Sequence, residues 1–257
     1  YPDQTNGNDT NDRGAHFTLE NNLAIYGGFA GNEDPNIFNL NNRDFITNES
    51  TLSGDIDQND VNGNIANNSY QIFVNGNAID NTAMLDGFTL QGGNANNLPN
   101  QIRGGAMYND GSGGFCNPTI RNCKFQFNIA LLGGAVNNNG TQGTCNPTFT
   151  NCLFYENAID NNHLGNGGGM FCSGNVNMTL LNCTFVNNNA TRTGGGIDCG
   201  EAYGTPNITL KNCIFWGNTA TQCGNQINNF ISSINISNTI LEGGFGAICN
   251  FGGTNND

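Results

Sequence analysis

The pattern Asn-Cys-x-Phe occurs four times, as Asn122-Cys123-Lys124-Phe125, Asn151-Cys152-Leu153-Phe154, Asn182-Cys183-Thr184-Phe185 and Asn212-Cys213-Ile214-Phe215. The cysteines lie 29, 31 and 30 residues apart. A near-constant period of this length marks a solenoid, in which each repeat buries its apolar face only against its neighbours. Three residues after each Phe stands another Asn (Asn128, Asn157, Asn188 and Asn218), and two further on a small or apolar residue (Ala130, Ile159, Ala190 and Ala220). The frame extends outward to Gly87-Phe88-Thr89-Leu90 and to Asn238-Thr239-Ile240-Leu241, which makes six turns countable.

A second block keeps step with the first: Gly104-Gly105-Ala106-Met107, Gly133-Gly134-Ala135-Val136, Gly167-Gly168-Gly169-Met170 and Gly194-Gly195-Gly196-Ile197. Within one unit, Thr179-Leu180-Leu181-Asn182-Cys183-Thr184-Phe185 puts Leu180, Cys183 and Phe185 inward if Asn182 turns a corner between two short strands. Of 257 residues, 53 are Asn and 37 are Gly. Both tolerate left-handed backbone, so the chain turns corners often and builds no long helix. The Asn of both blocks is therefore expected to be a structural corner residue, bending the chain and bonding nearby backbone. Such short strands do not stand alone. Stacked in coils of roughly 30 residues, they bury one column of Phe, Ile, Leu and Cys. The predicted fold is all-β, a single right-handed parallel β-helix. Leucine-rich and helical repeats lack their frames here, and a propeller blade needs four antiparallel strands.

The paired Gly-Gly-Ala-apolar and Phe-x-x-Asn blocks resemble the repeats of chlamydial polymorphic outer-membrane proteins and of secreted bacterial right-handed β-helix proteins. Upstream, Ile25-Tyr26-Gly27-Gly28-Phe29-Ala30-Gly31, Leu52-Ser53-Gly54-Asp55-Ile56 and Leu85-Asp86-Gly87-Phe88-Thr89 resemble the opening coils of those proteins, in the same order. The resemblance implies one β-helix domain over residues 1–257, with less regular opening coils in 1–84, regular repeats in 85–244 and a terminal coil in 245–257. It also implies a secreted or surface-exposed protein, and such proteins mostly lack assigned catalysis. The family pattern has a further strand before the position of Tyr1 and more coil after Asp257. A solenoid must cover both ends of its column, so the chain is expected to be a fragment or to stack head to tail with copies of itself into a filament.

Charge and cysteine content agree with an extracellular setting. Seven Lys plus Arg against 20 Asp plus Glu give a net charge of −13, which argues against nucleic-acid binding. Ten Cys without a zinc-type CxxC pair point to disulfides. Equal offsets from the repeat blocks put Cys116 over Cys145 and Cys172 over Cys199, so these pairs are expected to bridge adjacent coils, leaving Cys223 to pair with Cys249. The interior Cys123, Cys152, Cys183 and Cys213 point the same way and pack as thiols. No stretch is apolar enough to insert in a membrane. Nine Asn-x-Ser/Thr acceptors, among them Asn139, Asn182 and Asn207, matter only if the host glycosylates.

Candidate sites are few. Asp55, Asp57 and Asn59 place oxygens at alternating positions, the way a short loop wraps calcium, although Asp60 and Ala66 stand where an EF-hand needs Gly and Glu, and a solvated acidic turn is the equal alternative. The N-terminal Asp3, Asp9 and Asp12 form a weaker set. A polysaccharide lyase would need a basic residue beside acidic calcium ligands. Arg121 and Lys211 share a column, but Thr150 and Leu181 separate them and no carboxylate is expected there. A glycoside hydrolase needs two nearby carboxylates; Asp198 and Glu201 come closest. His16 and His163 flank no nucleophile. Segments 94–102 and 158–165 lengthen their coils and are the expected recognition loops. These features favour a non-catalytic structural or adhesive module that binds itself or cell-surface glycans or proteins, over the alternative of a carbohydrate-active enzyme.

Overall fold

Asn122, Asn151, Asn182 and Asn212 all hold left-handed backbone, with φ of 50°, 54°, 54° and 55°. They are the predicted corners. The protein is seen as a computed structural model that describes residues 12–60, 65–200 and 204–256. On one side of these corners lie Thr119–Arg121, Thr148–Thr150, the end of Met170–Leu181 and Asn207–Lys211; on the other lie Lys124–Gln126, Leu153–Tyr155, Thr184–Val186 and Ile214–Trp216. Every pairing between named strands is parallel, and the Phe-bearing strands pair in register, Phe125 to Phe154, Phe154 to Phe185 and Phe185 to Phe215. The result is a parallel β-helix of about six turns.

The coils stack into three sheets. One has seven strands, from Ser50–Ser53 through the Phe-bearing strands to Ile240–Leu241. A second has five two-residue strands, Asn94–Ala95, Ile129–Ala130, Ala158–Ile159, Asn189–Ala190 and Thr219–Ala220. The third has 15 strands and covers two faces, because Met170–Leu181 runs unbroken through the place where other coils bend. The opening residues are less regular and include the short 3-10 turn Leu40–Asn42.

The second corner differs from expectation. Left-handed backbone falls on Phe127, Glu156, Asn187 and Gly217, with φ of 55°, 51°, 56° and 65°, one residue before the Asn of each Phe-x-x-Asn block. That Asn is instead fully buried and points inward. Asn128 Nδ2 donates to Asn157 Oδ1 at 3.0 Å, Asn157 to Asn188 at 3.0 Å and Asn188 to Asn218 at 2.9 Å. Each of these amides also donates to a carbonyl of the coil before, such as Asn188 Nδ2 to Phe154 O at 2.9 Å. Every rung is thus satisfied inside an apolar interior, where an unpaired amide would be costly.

The Gly pairs answer two separate needs. The first Gly is left-handed, as at Gly133 and Gly167, both with φ of 71°. At the second, a Cβ on Gly168 would stand 2.5 Å from Gly195 O, and one on Gly195 would stand 2.4 Å from Asn225 O, so the coils could not stack. Inside, Phe125, Phe154, Phe185 and Phe215 stack nearly parallel at 4.8, 4.2 and 4.7 Å between centroids. Burying such side chains stabilises by roughly 1.5–3 kcal/mol each. One apolar cluster runs from Leu19 to Ile248.

Candidate functional site

The Asp55 loop is pinned at its base by two backbone bonds, Gly54 N to Gln91 O and Ser69 N to Gly54 O, both 2.8 Å, and buries Ile56. Asp55 turns its carboxylate back into the loop, accepting from Asn59 N at 2.9 Å and Asp60 N at 3.3 Å. Asp57 is exposed and accepts from Asn67 Nδ2. Of the three expected oxygens, Asp55 thus faces back into the loop, Asn59 is half-buried and Asp57 lies at the surface. Asp60 lies closer in, and its Oδ2 accepts from Asn68 Nδ2 at 3.1 Å. Burial pushes the Asp60 carboxyl above the usual carboxylate range, the Asn68 hydrogen bond pulls it down and the Asp55 charge pushes it up again. Asp12 caps its own turn through Gly14 N at 2.8 Å, while Asp3 and Asp9 lie outside the described residues.

Only one of the three expected disulfides is formed: Cys223–Cys249, with Cα atoms 5.6 Å apart. Cys116 does stand in register with Cys145, and Cys172 with Cys199, but all four are free, buried thiols. The reason is directional. In-register neighbours carry parallel Cα–Cβ bonds about 4.8 Å apart, whereas a disulfide needs Cβ atoms about 3.8 Å apart and converging. Cys223 escapes this because it is not the in-register partner of Cys249, a place that Asn228 takes, so the two need not carry parallel Cα–Cβ bonds. The interior column behaves as expected, and Cys183 Sγ donates to Phe149 O at 3.5 Å. Burial pushes the Cys123 thiol up to about 12. Unfolded without reductant, the chain should therefore titrate eight thiols, and folded it should react with almost none. A count of four in denaturant would restore the two inter-coil bridges.

The column of Arg121 also differs from expectation, because Asp86 is in register beneath it. This buried carboxylate meets Arg121 at 3.1 Å and the buried Arg43 at 3.2 Å. Asn122 Nδ2 completes the set at 2.7 Å. The cluster ties the irregular loop before Ser50 to the first regular coils.

Asp198 lies beside a cleft of about 420 Å³ lined by Asn166, Arg192, Thr193, Gln222, Phe230 and Phe251. Its side chain is fully buried and accepts from Thr193 Oγ1 and, at 3.0 Å, from Asn228 Nδ2. Glu201, its expected partner, lies outside the described residues. His16 is exposed and bonds Gly14 O at 2.9 Å, and His163 sits 3.5 Å from Asp160. Of the expected recognition loops, Asn94–Ala95 and Ala158–Ile159 belong to the five-stranded sheet. The exposed parts are narrower, around Leu98 and Leu164.

Comparison with known protein families, with curated proteins and with solved structures finds no match to this chain. No helix among the described residues is long and apolar enough to cross a membrane.

Proposed function

We propose that this β-helix is a non-catalytic structural or adhesive module of a secreted or cell-surface protein, of the kind its repeat blocks resemble in chlamydial polymorphic outer-membrane proteins. Its partners are cell-surface glycans or proteins, or a second copy of the chain stacked end to end. The observation that carries this reading is where the polar side chains are spent. Asp86 holds two arginines, Asp110 takes Asn139 Nδ2 at 2.9 Å, Asp198 takes Asn228, and Glu49 takes Thr89 Oγ1 at 2.6 Å. Glu242 closes on Gly217 N at 2.6 Å. Acid–base catalysis needs a carboxyl within reach of substrate, and each of these instead fastens one stretch of chain to another.

Outward, the seven-stranded sheet presents a different surface. Ile214 and Trp216 on one strand and Ile240 on the next are exposed, with Tyr155 and Val186 half-buried in the row of Trp216. A flat aromatic and apolar face on a rigid scaffold suits adhesion.

The test is incubation with a panel of plant and algal polysaccharides, followed by retention of the chain on the same polymers and on whole cells. Retention without new reducing or unsaturated ends is expected. Release of such ends would replace this reading with that of a carbohydrate-active enzyme.

A further inference from the structure

Six buried side-chain polar atoms without a hydrogen-bond partner lie close together in the sequence, on residues 59–60 and 67–69 and on the strand residue Asn94. They are Oδ1 of Asn59, Asp60, Asn67, Asn68 and Asn94, and Oγ of Ser69. Native interiors leave few such atoms, and a cluster of them calls for a bound water or ion. These are almost purely acceptors, and their orientation is fixed rather than chosen. Asn68 Nδ2 donates to Asp60 Oδ2 at 3.1 Å and Gly92 O at 2.7 Å, Asn94 Nδ2 donates to Ile65 O at 2.7 Å, and Asn67 Nδ2 donates to Asp57. Turning any of these amides over would set oxygen against oxygen. The nitrogens are used, and the oxygens are left over.

The two most telling residues touch. Asn68 is 1% exposed, its amide abuts the Asp60 carboxylate, and each retains an unpartnered oxygen. Asp55 stands against the same point, its Oδ2 3.3 Å from Asp60 N, and Asn59 closes the loop between them. Arg13 anchors the far side, donating to Asn68 O at 2.6 Å and Asn94 O at 3.2 Å, so the backbone carrying these amides is held in place. Its single positive charge is outnumbered by Asp55, Asp57 and Asp60. No three His, Cys, Asp or Glu side chains among the described residues gather as a metal site, which leaves soft transition metals without their usual ligands. Uncharged amide oxygens beside a carboxylate are what a hard cation takes, and calcium accepts six to eight oxygens in loose geometry.

We infer that this loop binds one calcium ion, centred on the Asp60 carboxylate and the Asn68 amide, with Asn59 as a further ligand on the rim. Asp55 contributes charge and loop shape, and Asp57 stays outside the coordination shell. With few carboxylates in contact, the site belongs with the weak extracellular class, at about 10⁻⁴–10⁻³ M. The ion would lock the irregular opening coils onto the regular stack at Gly92, much as the Asp86 cluster does elsewhere.

The experiment uses the full chain, stripped with a chelator and titrated with calcium chloride by calorimetry and by thermal melting. One saturable site is expected, with a melting temperature raised by about 3–6 °C at about ten times Kd. Asp60→Asn and Asn59→Ala should each weaken calcium at least about tenfold, and Asp57→Asn less than about threefold. Asn59 is only half-buried, so its variant keeps the test open if Asp60→Asn fails to fold, as judged by circular dichroism. Absence of heat and of any melting shift at about 10 mM calcium would mean that water alone fills the loop and would overturn the inference. Equal losses in Asp57→Asn and Asn59→Ala would overturn the ligand assignment.

Discussion

Phe154→Ala is expected to cost about 3–5 kcal/mol, at the upper part of the range for emptying a ring from a core. The ring is fully buried between Phe125 at 4.8 Å and Phe185 at 4.2 Å, with Phe149 edge-on at 5.9 Å. A cavity costs least where its walls can close in, and here they cannot. The coil spacing is fixed by backbone bonds on either side of the Phe column, such as Leu153 N to Cys123 O at 3.0 Å and Thr184 N to Cys152 O at 2.9 Å. Shrinking the gap would break those bonds. The lost ring also strands two stacking contacts, where aromatic pairs add about 0.5–1.5 kcal/mol beyond area. Phe215→Ala should cost less, because its next neighbour up the column is the half-buried Leu241 instead of a ring. Urea unfolding gives the answer, read as a fall in midpoint at unchanged slope. A loss below about 1 kcal/mol for Phe154→Ala would show that the column collapses after all.

The parts of the fold legible in the sequence were those where one residue type is required on every coil. The Phe column, the Asn122-type corner and the Gly pairs each answer one steric demand that recurs at the coil period, so they surface as columns of identical letters. The second corner escaped because its left-handed residue varies. Phe127, Glu156, Asn187 and Gly217 share a backbone angle and no chemistry. The constant letter is the Asn next to it, whose role is a ladder inside the core. A second internal ladder was invisible for the same reason in reverse. Asn75, Asn109 and Asn138 pass one hydrogen bond upward at 2.8 Å per step, but Asn138 lies in the run Asn137-Asn138-Asn139, where no single letter stands out.

The candidate sites were less legible, because they depend on direction and not on spacing. Offsets placed Cys116 over Cys145 correctly, and only the parallel Cα–Cβ bonds decide that they do not bridge. Alternating acids point to Asp57, which is exposed, whereas Asn68, which belongs to no alternating pattern, is fully buried. Asp86 sits where later coils carry Arg121, Thr150 and Leu181, so no repeat could announce it.

The interior Asn ladder separates shape from hydrogen-bond polarity. Asn188 Oδ1 accepts from both Asn157 N and Asn157 Nδ2 at 3.0 Å, while Asn188 Nδ2 donates to Phe154 O and Asn218 Oδ1 at 2.9 Å. Asn188→Asp keeps the size and the first two bonds, but sets a second oxygen against two acceptors in a site with no access to water. An ionised carboxylate there would face the oxygens of Phe154 and Asn218, and uncompensated buried charge costs about 3–5 kcal/mol. The carboxyl can escape by keeping its proton, which restores one of the two lost donors. Its folded pKa then lies above its unfolded value, so the variant holds most of its stability at acidic pH and loses it as pH rises through the raised folded pKa. Asn188→Ala, with nothing to titrate, should cost about 2–4 kcal/mol at either pH, since it leaves Asn157 with two buried donors unpaired. Asn182→Asp supplies the control. That residue belongs to the exposed ladder, where Asn182 Nδ2 donates to Asn151 Oδ1 at 3.0 Å within reach of water, and its loss should stay below about 1 kcal/mol. Urea unfolding of the three variants at neutral and acidic pH tests the set. If Asn188→Asp matched the parent at neutral pH, the ladder would be a bystander, and the Phe-x-x-Asn column would need another explanation.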